Sequence, residues 1–149
     1  MRAGSVAVIA AGEGWQADDS LRPSLELRTV IEEMRSIGKV RERICSYIYA
    51  LRDLQYRVPA VNDVLLQEYR DSEPLLALCH AGTEFHDSLV AQGHAAGVLV
   101  PDFTAEDFQS FARDNALVLK HGGRPPRVDY DRRTAFLLGG ICRSSSVSD

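Results

Sequence analysis

The chain has 149 residues, of which 45% are hydrophobic and 26% are charged. This length suits one ordinary domain, and this composition excludes a chain that is disordered throughout. The formal net charge of −4 is too small to identify a class of partner. Three cysteines without a Cys-x-x-Cys pair argue against a disulfide framework and for a reducing compartment, so we expect an intracellular protein of the cytoplasm or an organelle matrix.

The first 23 residues predict an irregular N-terminal segment. A short apolar run from Val6 to Ala11 is followed by a stretch rich in Gly, Asp and Ser that ends at Pro23. The run is shorter than the apolar region of most secretory signals. No part of the chain approaches the ~20 apolar residues of a membrane-spanning helix, so we expect no membrane span.

A long amphipathic helix from about Leu25 to Val58 is the strongest prediction. Ser24 is suited to cap it, and Pro59 ends it. Its apolar residues recur at alternating spacings of three and four, as in a helix packed along another helix. Because this repeat keeps its phase across Gly38, we expect one helix, although Gly38 is the place where it would break. This apolar stripe is the predicted interface, with Arg41 in a vacant slot: Leu27, Val30, Met34, Ile37, Ile44, Ile48, Leu51 and Arg41.

Shorter helices are predicted after Pro59. Asn62 is suited to cap one of them, and Pro74 to open a second that Gly82 ends. Thr83 is suited to open a third, which ends at Gly97.

The segment around Thr104 has the sequence of a helix start. Thr104 and Asp107 form a capping box, and Phe103 and Phe108 have the spacing of a hydrophobic staple. The helix that they open is predicted to end at Gly122-Gly123.

The C-terminal part predicts an extended segment after Pro126, a short apolar run from Ala135 to Leu138, and a flexible polar tail over residues 139–149. The fold class is therefore mainly α: a helical bundle in a single domain, residues 1–138, with one long helix and several shorter ones.

The groups capable of chemistry lie far apart in sequence. His80, His86 and His94 are spaced by six and eight residues, which does not place two of them beside one metal ion, so no metal or other cofactor is predicted. A small enzyme would need the fold to bring Glu84, His86 and Cys142 together, and the spacing neither shows nor excludes that.

Charge is distributed unevenly along the chain. Residues 35–57 carry six basic side chains against two acids, residues 61–119 carry ten acids against two arginines, and residues 120–133 are basic again. Nucleic acid is one partner for a basic helix, but the basic residues scatter around it and the whole chain is acidic. The apolar stripe of the long helix is longer and wider than the shorter helices are expected to cover. We therefore expect a non-catalytic protein that associates with a protein partner or with itself, as an accessory subunit, adaptor or self-associating module.

The strings DSEPLLALCHAG, AQGHAAG and DFTAEDFQSF follow one another between residues 65 and 111, and LLGGICRSSSVSD follows later. In this order they resemble the leader region of bacterial peptide precursors, of the nitrogen-fixation-associated and nitrile-hydratase-like leader families. The resemblance implies an alternative function, that of a precursor with a short core after Gly139-Gly140. Cys142 and the serines of the tail would then be substrates of a thioether-forming enzyme.

Overall fold

The structure is a computed structural model that describes residues 17–66 and 73–144, with side chains from residue 22 onward. Within these ranges the chain forms six helices, which confirms the mainly-α bundle. They are α1 (Ala17–Met34), α2 (Val40–Arg57), α3 (Pro59–Leu66), α4 (Glu73–Ala95), α5 (Ala105–His121) and α6 (Arg127–Ile141). Among them, no helix combines the length and the apolar character needed to cross a membrane.

Helix α2 is the centre of the bundle and contacts each of the other five described helices. Ile44, Tyr47, Ile48 and Leu51 are all buried along it, and their spacing of three and four residues places them on one face of the helix. Helix α6 is at the opposite extreme, because among the described helices α2 is the one whose backbone comes close to it. The core is therefore built around α2, with α6 at the periphery.

The predicted continuous helix from 25 to 58 is wrong, because residues 35–39 form a corner between α1 and α2. The guanidinium of Arg43 donates hydrogen bonds to the carbonyl oxygens of Ile37 (2.7 and 2.9 Å) and Gly38 (3.3 Å). These bonds satisfy carbonyl groups that lose their helical partners where the chain turns. The corner lets α1 fold back and pack against α2, α3 and α4.

Helix α1 also begins earlier than predicted. It starts at Ala17 and includes Pro23, so the predicted irregular segment ends before residue 17 as far as the structure describes it. Pro23 lacks an N–H and removes one intrahelical bond, to the carbonyl of residue 19. Both Pro23 and Ser24 are buried, and Ser24 lies inside the helix instead of capping it.

Asn62 and Gly82 were both assigned to helix ends, and both lie inside helices. Asn62 is in α3, where its side chain bonds to Gln55 instead of capping the helix. α4 runs unbroken through Gly82 and Thr83, so the two short helices predicted there are one. A glycine inside a helix costs about 1 kcal/mol, less than the burial of a single large apolar residue such as Phe85 gains.

The start of α5 is confirmed in detail. The Thr104 side chain and the Asp107 carboxylate form the capping box, in which the Thr104 N–H donates to Asp107 at 2.8 Å. The rings of Phe103 and Phe108 pack edge to face with centroids 5.0 Å apart, as the predicted staple requires. The helix ends at Gly122, as expected.

Helix α6 replaces the predicted extended segment. Its buried residues Tyr130, Thr134, Leu138 and Ile141 recur at helical spacing. Gly139-Gly140, placed by the sequence at the start of a flexible tail, forms its last turn. Beyond it, backbone pairing holds residues 141–143 against residues 98–100, with Arg143 N–H donating to Val98 O at 2.7 Å. Residues 145–149 of the predicted tail lie outside the described ranges.

Candidate functional site

The predicted apolar stripe is covered mainly by the chain itself. On α2, Ile44 is fully buried, and Ile48 and Leu51 are nearly so. On α1, Leu27 and Met34 are buried in the same core. The remaining apolar members, Val30 and Ile37, are partly buried against it, and Arg41 donates to the backbone oxygen of Arg143 at 3.1 Å. The stripe therefore packs within the chain, and a surface for another molecule has to be sought elsewhere or at its partly buried edge.

The three groups that an enzyme would need are not brought together. Glu84 is exposed, whereas His86, two residues further along α4, is buried. Cys142 lies at the end of α6, where its backbone pairs with Leu99. Within the ranges that the structure describes, no cluster of His, Cys, Asp and Glu residues is placed to hold a metal ion.

His86 and Tyr47 form a hydrogen-bonded pair inside the core, with 2.5 Å between the hydroxyl oxygen and Nε2. The ring of His86 stacks on Phe108 with centroids 5.2 Å apart. Burial lowers the pKa of His86 to about 4 and raises the pKa of Tyr47 above its usual range. Both groups are therefore neutral at physiological pH. With the tyrosine proton donated to Nε2, the histidine proton lies on Nδ1, which finds no partner among the described residues.

A second set of buried polar side chains forms a hydrogen-bond network that joins four helices. Asn115 donates to Gln55 Oε1 (2.9 Å) and to the Tyr130 hydroxyl (2.8 Å), and Gln55 donates to Asn62 (3.1 Å). Tyr130 in turn donates to the backbone oxygen of Arg52 at 2.7 Å. Because every side chain has a partner, this network orients α3, α5 and α6 on α2 and has no vacant position for a ligand.

The exposed side of α6 carries two strongly exposed apolar side chains. Val128 and Phe136 are 74% and 67% exposed, more than any other large apolar side chain described. They lie opposite the buried residues of α6, on a strip that we name the α6 outer face: Val128, Arg132, Ala135, Phe136 and Gly139. Around Gly139 a side chain would meet no atom within 4 Å, so the strip is flat at that point.

A groove of about 640 Å³ borders this face, between α2 and α6. Ile37, Tyr49 and Ala50 line its apolar part. Arg127 and Asp131 line the side formed by α6, and Asp53 of α2 faces them and pairs with Arg127 at 2.8 Å. Asp131 lies one helical turn after Val128, so the groove and the α6 outer face adjoin. Ile37 is the member of the predicted interface that remains partly accessible here.

The surroundings of α6 are positively charged. Residues 124–143 contain five arginines and two acids. Both acids are already paired: Asp129 with Arg132 at 3.1 Å, and Asp131 with Arg127 at 2.8 Å. The basic segment is evident in the sequence, but the α6 outer face is not, because the sequence predicts an extended segment there instead of a helix. The helical spacing of Tyr130, Thr134, Leu138 and Ile141 is the signal that identifies it.

Comparison with known proteins gives no further guide to this site. No known protein-family model matches the chain, and no curated protein matches it significantly. The likeness to precursor leaders therefore stays a prediction. Gly139-Gly140, which that interpretation places at a processing site, lies within α6.

Proposed function

We propose that this chain is a non-catalytic helical protein that acts by association, as an accessory subunit or adaptor. Its α6 outer face and the adjoining groove would bind an acidic amphipathic helix of a partner protein. One observation carries the proposal: the two most exposed large apolar side chains described, Val128 and Phe136, share a face of one helix. Arg132 lies between them, with its guanidinium 5.9 Å from the centre of the Phe136 ring, and exposed apolar side chains with polar surroundings occur at protein interaction sites.

The shape of the surface favours a helical partner. A helix that lies in a groove presents apolar residues at spacings of three and four to its walls. The groove offers Tyr49 and Ala50 as such walls, and Val128 extends the apolar area onto α6. Burial of Val128 and Phe136 contributes about 1–2 kcal/mol each, scaled from the full burial of such side chains by their exposed fractions.

The charge of the surface favours an acidic partner. Residues 124–143 have three more basic than acidic side chains, and counting Asp53 at the edge of the groove leaves an excess of two; all three acids are engaged with arginines. Carboxylates on a bound helix would meet guanidinium groups, which steers the encounter and selects against basic partners. We therefore expect the affinity to fall as the salt concentration rises.

A designed peptide tests this chemistry directly. The probe is a fluorescent 20-residue helix with leucines at helical spacing and glutamates beside them, and its binding is followed by anisotropy. Controls are a scrambled peptide of the same composition and a peptide with lysines in place of glutamates. We expect micromolar binding of the acidic helix alone.

Variants locate the contact. Val128→Ser combined with Phe136→Ser should weaken binding at least tenfold, because the contribution of both side chains is lost. Leu117→Ser combined with Val118→Ser removes comparable exposed apolar area from α5 and should leave binding unchanged. Failure of the acidic helix to bind, or equal binding by both double variants, contradicts the proposal.

Light scattering separates a partner from a second copy of the chain. If the chain stays monomeric at micromolar protein concentrations, the result agrees with a partner that is a different protein. A dimer that Val128→Ser with Phe136→Ser converts to monomers would instead assign the α6 outer face to self-association, and would overturn the acidic partner.

A further inference from the structure

A cavity of about 210 Å³ is lined by residues of α1 to α5 and opens to solvent beside the exposed side chains of Thr83, Gln109 and Arg113. We name it the central cavity. Its walls are mainly apolar and include Ile31, Leu51 and Leu78 from three different helices. An engineered apolar cavity on the order of 150 Å³ in another protein binds benzene. The central cavity is larger, so it has room for a small apolar group without displacement of the core.

One charged group stands at this cavity. Among the described lining residues, Arg113 is the one side chain that carries a charge at neutral pH. It is exposed and makes no hydrogen bond or ion pair with any residue that the structure describes. Gln109 lies one turn before it on α5, and the Gln109 amide is 3.5 Å from the Thr83 hydroxyl of α4. Arg113, Gln109 and Thr83 thus place polar groups together against apolar walls.

Two further titratable side chains of the cavity wall, His86 and Tyr47, add no charge to it at neutral pH. His86 also lines the cavity, and burial holds its pKa at about 4, so it is neutral. Its Nε2 is occupied by the Tyr47 hydroxyl. No acidic residue is among the described lining residues. Among the described lining residues, a negatively charged head group would therefore meet one cation and no carboxylate.

We propose that the central cavity binds a small amphipathic carboxylate, a medium-chain fatty acid, with its alkyl chain among the apolar walls and its carboxylate on Arg113. Guanidinium groups bind carboxylates in bidentate geometry, and the amide of Gln109 offers a further donor. At roughly 30 Å³ for a group the size of a water molecule or a methylene, the cavity holds about seven carbons. Octanoate is the matching probe. This site is separate from the α6 outer face and does not depend on the association proposed above.

Gly82 provides a way to close the cavity. It lies in the wall, on α4, and a Cβ at this position would meet no atom within 4 Å. Because Gly82 lines the cavity, the Gly82→Leu side chain extends into its open space, and it replaces a poor helix former with a good one. Gly82→Ala makes the same backbone change but leaves most of the cavity open, so it is the matched control.

Calorimetric titration of the full chain with butanoate, hexanoate, octanoate and octan-1-ol tests the alkyl site. Each added methylene buried should tighten binding about fourfold, so octanoate should bind roughly fifteenfold more tightly than hexanoate. Gly82→Leu should weaken octanoate at least tenfold, and Gly82→Ala should bind like the wild type. Absence of saturable octanoate binding, or equal binding by the Gly82→Leu protein, overturns the proposal.

Arg113→Gln tests the head-group contact at an exposed position, independently of whether Gly82→Leu folds. It should weaken octanoate about tenfold and leave octan-1-ol unchanged, because only the carboxylate uses the guanidinium. Equal loss of both ligands, or loss of neither, would overturn the assignment of the carboxylate to Arg113. Circular dichroism of each variant checks that the helical content is retained.

Discussion

Lowering the pH below 6.5 should destabilise the fold through His86. Burial lowers its pKa from 6.5 to about 4 in the folded chain, with Asp87 opposing the shift in part. Between these two pH values the unfolded chain binds a proton that the folded chain does not. Stability is therefore complete above pH 6.5, and it falls as the pH decreases toward 4.

The size of this effect follows from the gap between the two pKa values. A gap of about 2.5 pH units corresponds to roughly 3 kcal/mol, and about 2 kcal/mol of it is lost by pH 5. That is a large fraction of the stability of an ordinary domain. The bond from Tyr47 to Nε2 and the stacking on Phe108 leave the protonated ring little compensation, since neither supplies a negative charge.

Urea denaturation followed by circular dichroism at pH 7.5, 6.5, 5.5 and 5.0 measures this loss. His86→Gln keeps a hydrogen-bonding side chain next to Tyr47 and should flatten the pH dependence over this range. His121→Gln, at an exposed position, should leave it unchanged. If His86→Gln retained the same slope of unfolding free energy against pH, the buried neutral histidine would be the wrong explanation.

Three further predictions concern the core and the thiols. Ile44→Asp places an unpaired charge at a fully buried position, so it should lower the free energy of unfolding by roughly 3 kcal/mol or more, against about 1 kcal/mol for Ile44→Val. A wild-type urea midpoint for the Asp variant would contradict the place of Ile44 in the core. Gly93→Ala brings a methyl group to 2.6 Å from Leu99 Cδ1, so we expect the free energy of unfolding to fall by about 1 kcal/mol despite the better helix propensity of alanine. A raised thermal midpoint would instead show that Leu99 moves aside without cost. Burial raises the pKa of Cys142 to about 11, so iodoacetamide at pH 8 should alkylate exposed Cys79 well before it, and equal rates by peptide mass mapping would refute this.

Local signals in the sequence predicted local structure well. The capping box of Thr104 and Asp107 depends on residues three apart, so the sequence alone is sufficient to place it. The apolar spacing likewise identified Ile44 and Leu51 as residues that pack against other helices. It did not show that the neighbouring helices belong to the same chain, because a periodic pattern marks a buried face without naming what covers it.

Features that depend on distant residues were not predictable. The corner at Gly38 is held by Arg43 from the next helix, and the interior place of Asn62 depends on Gln55 and, through it, on Asn115. The central cavity is missed for the same reason, since it is lined by residues from five helices, which no spacing in a single helix brings together.

Because of the corner at residues 35–39, the rotation of α1 about its own axis is independent of that of α2. In a continuous helix, one inserted residue would turn everything before it by about 100° and carry buried Leu27 to the outside. In the corner, an added residue lengthens a connection and leaves both helices free to keep their orientation. Gly38, which is exposed with open space around it, is therefore a position where the length of the chain can change while the stripe on each side still faces the core.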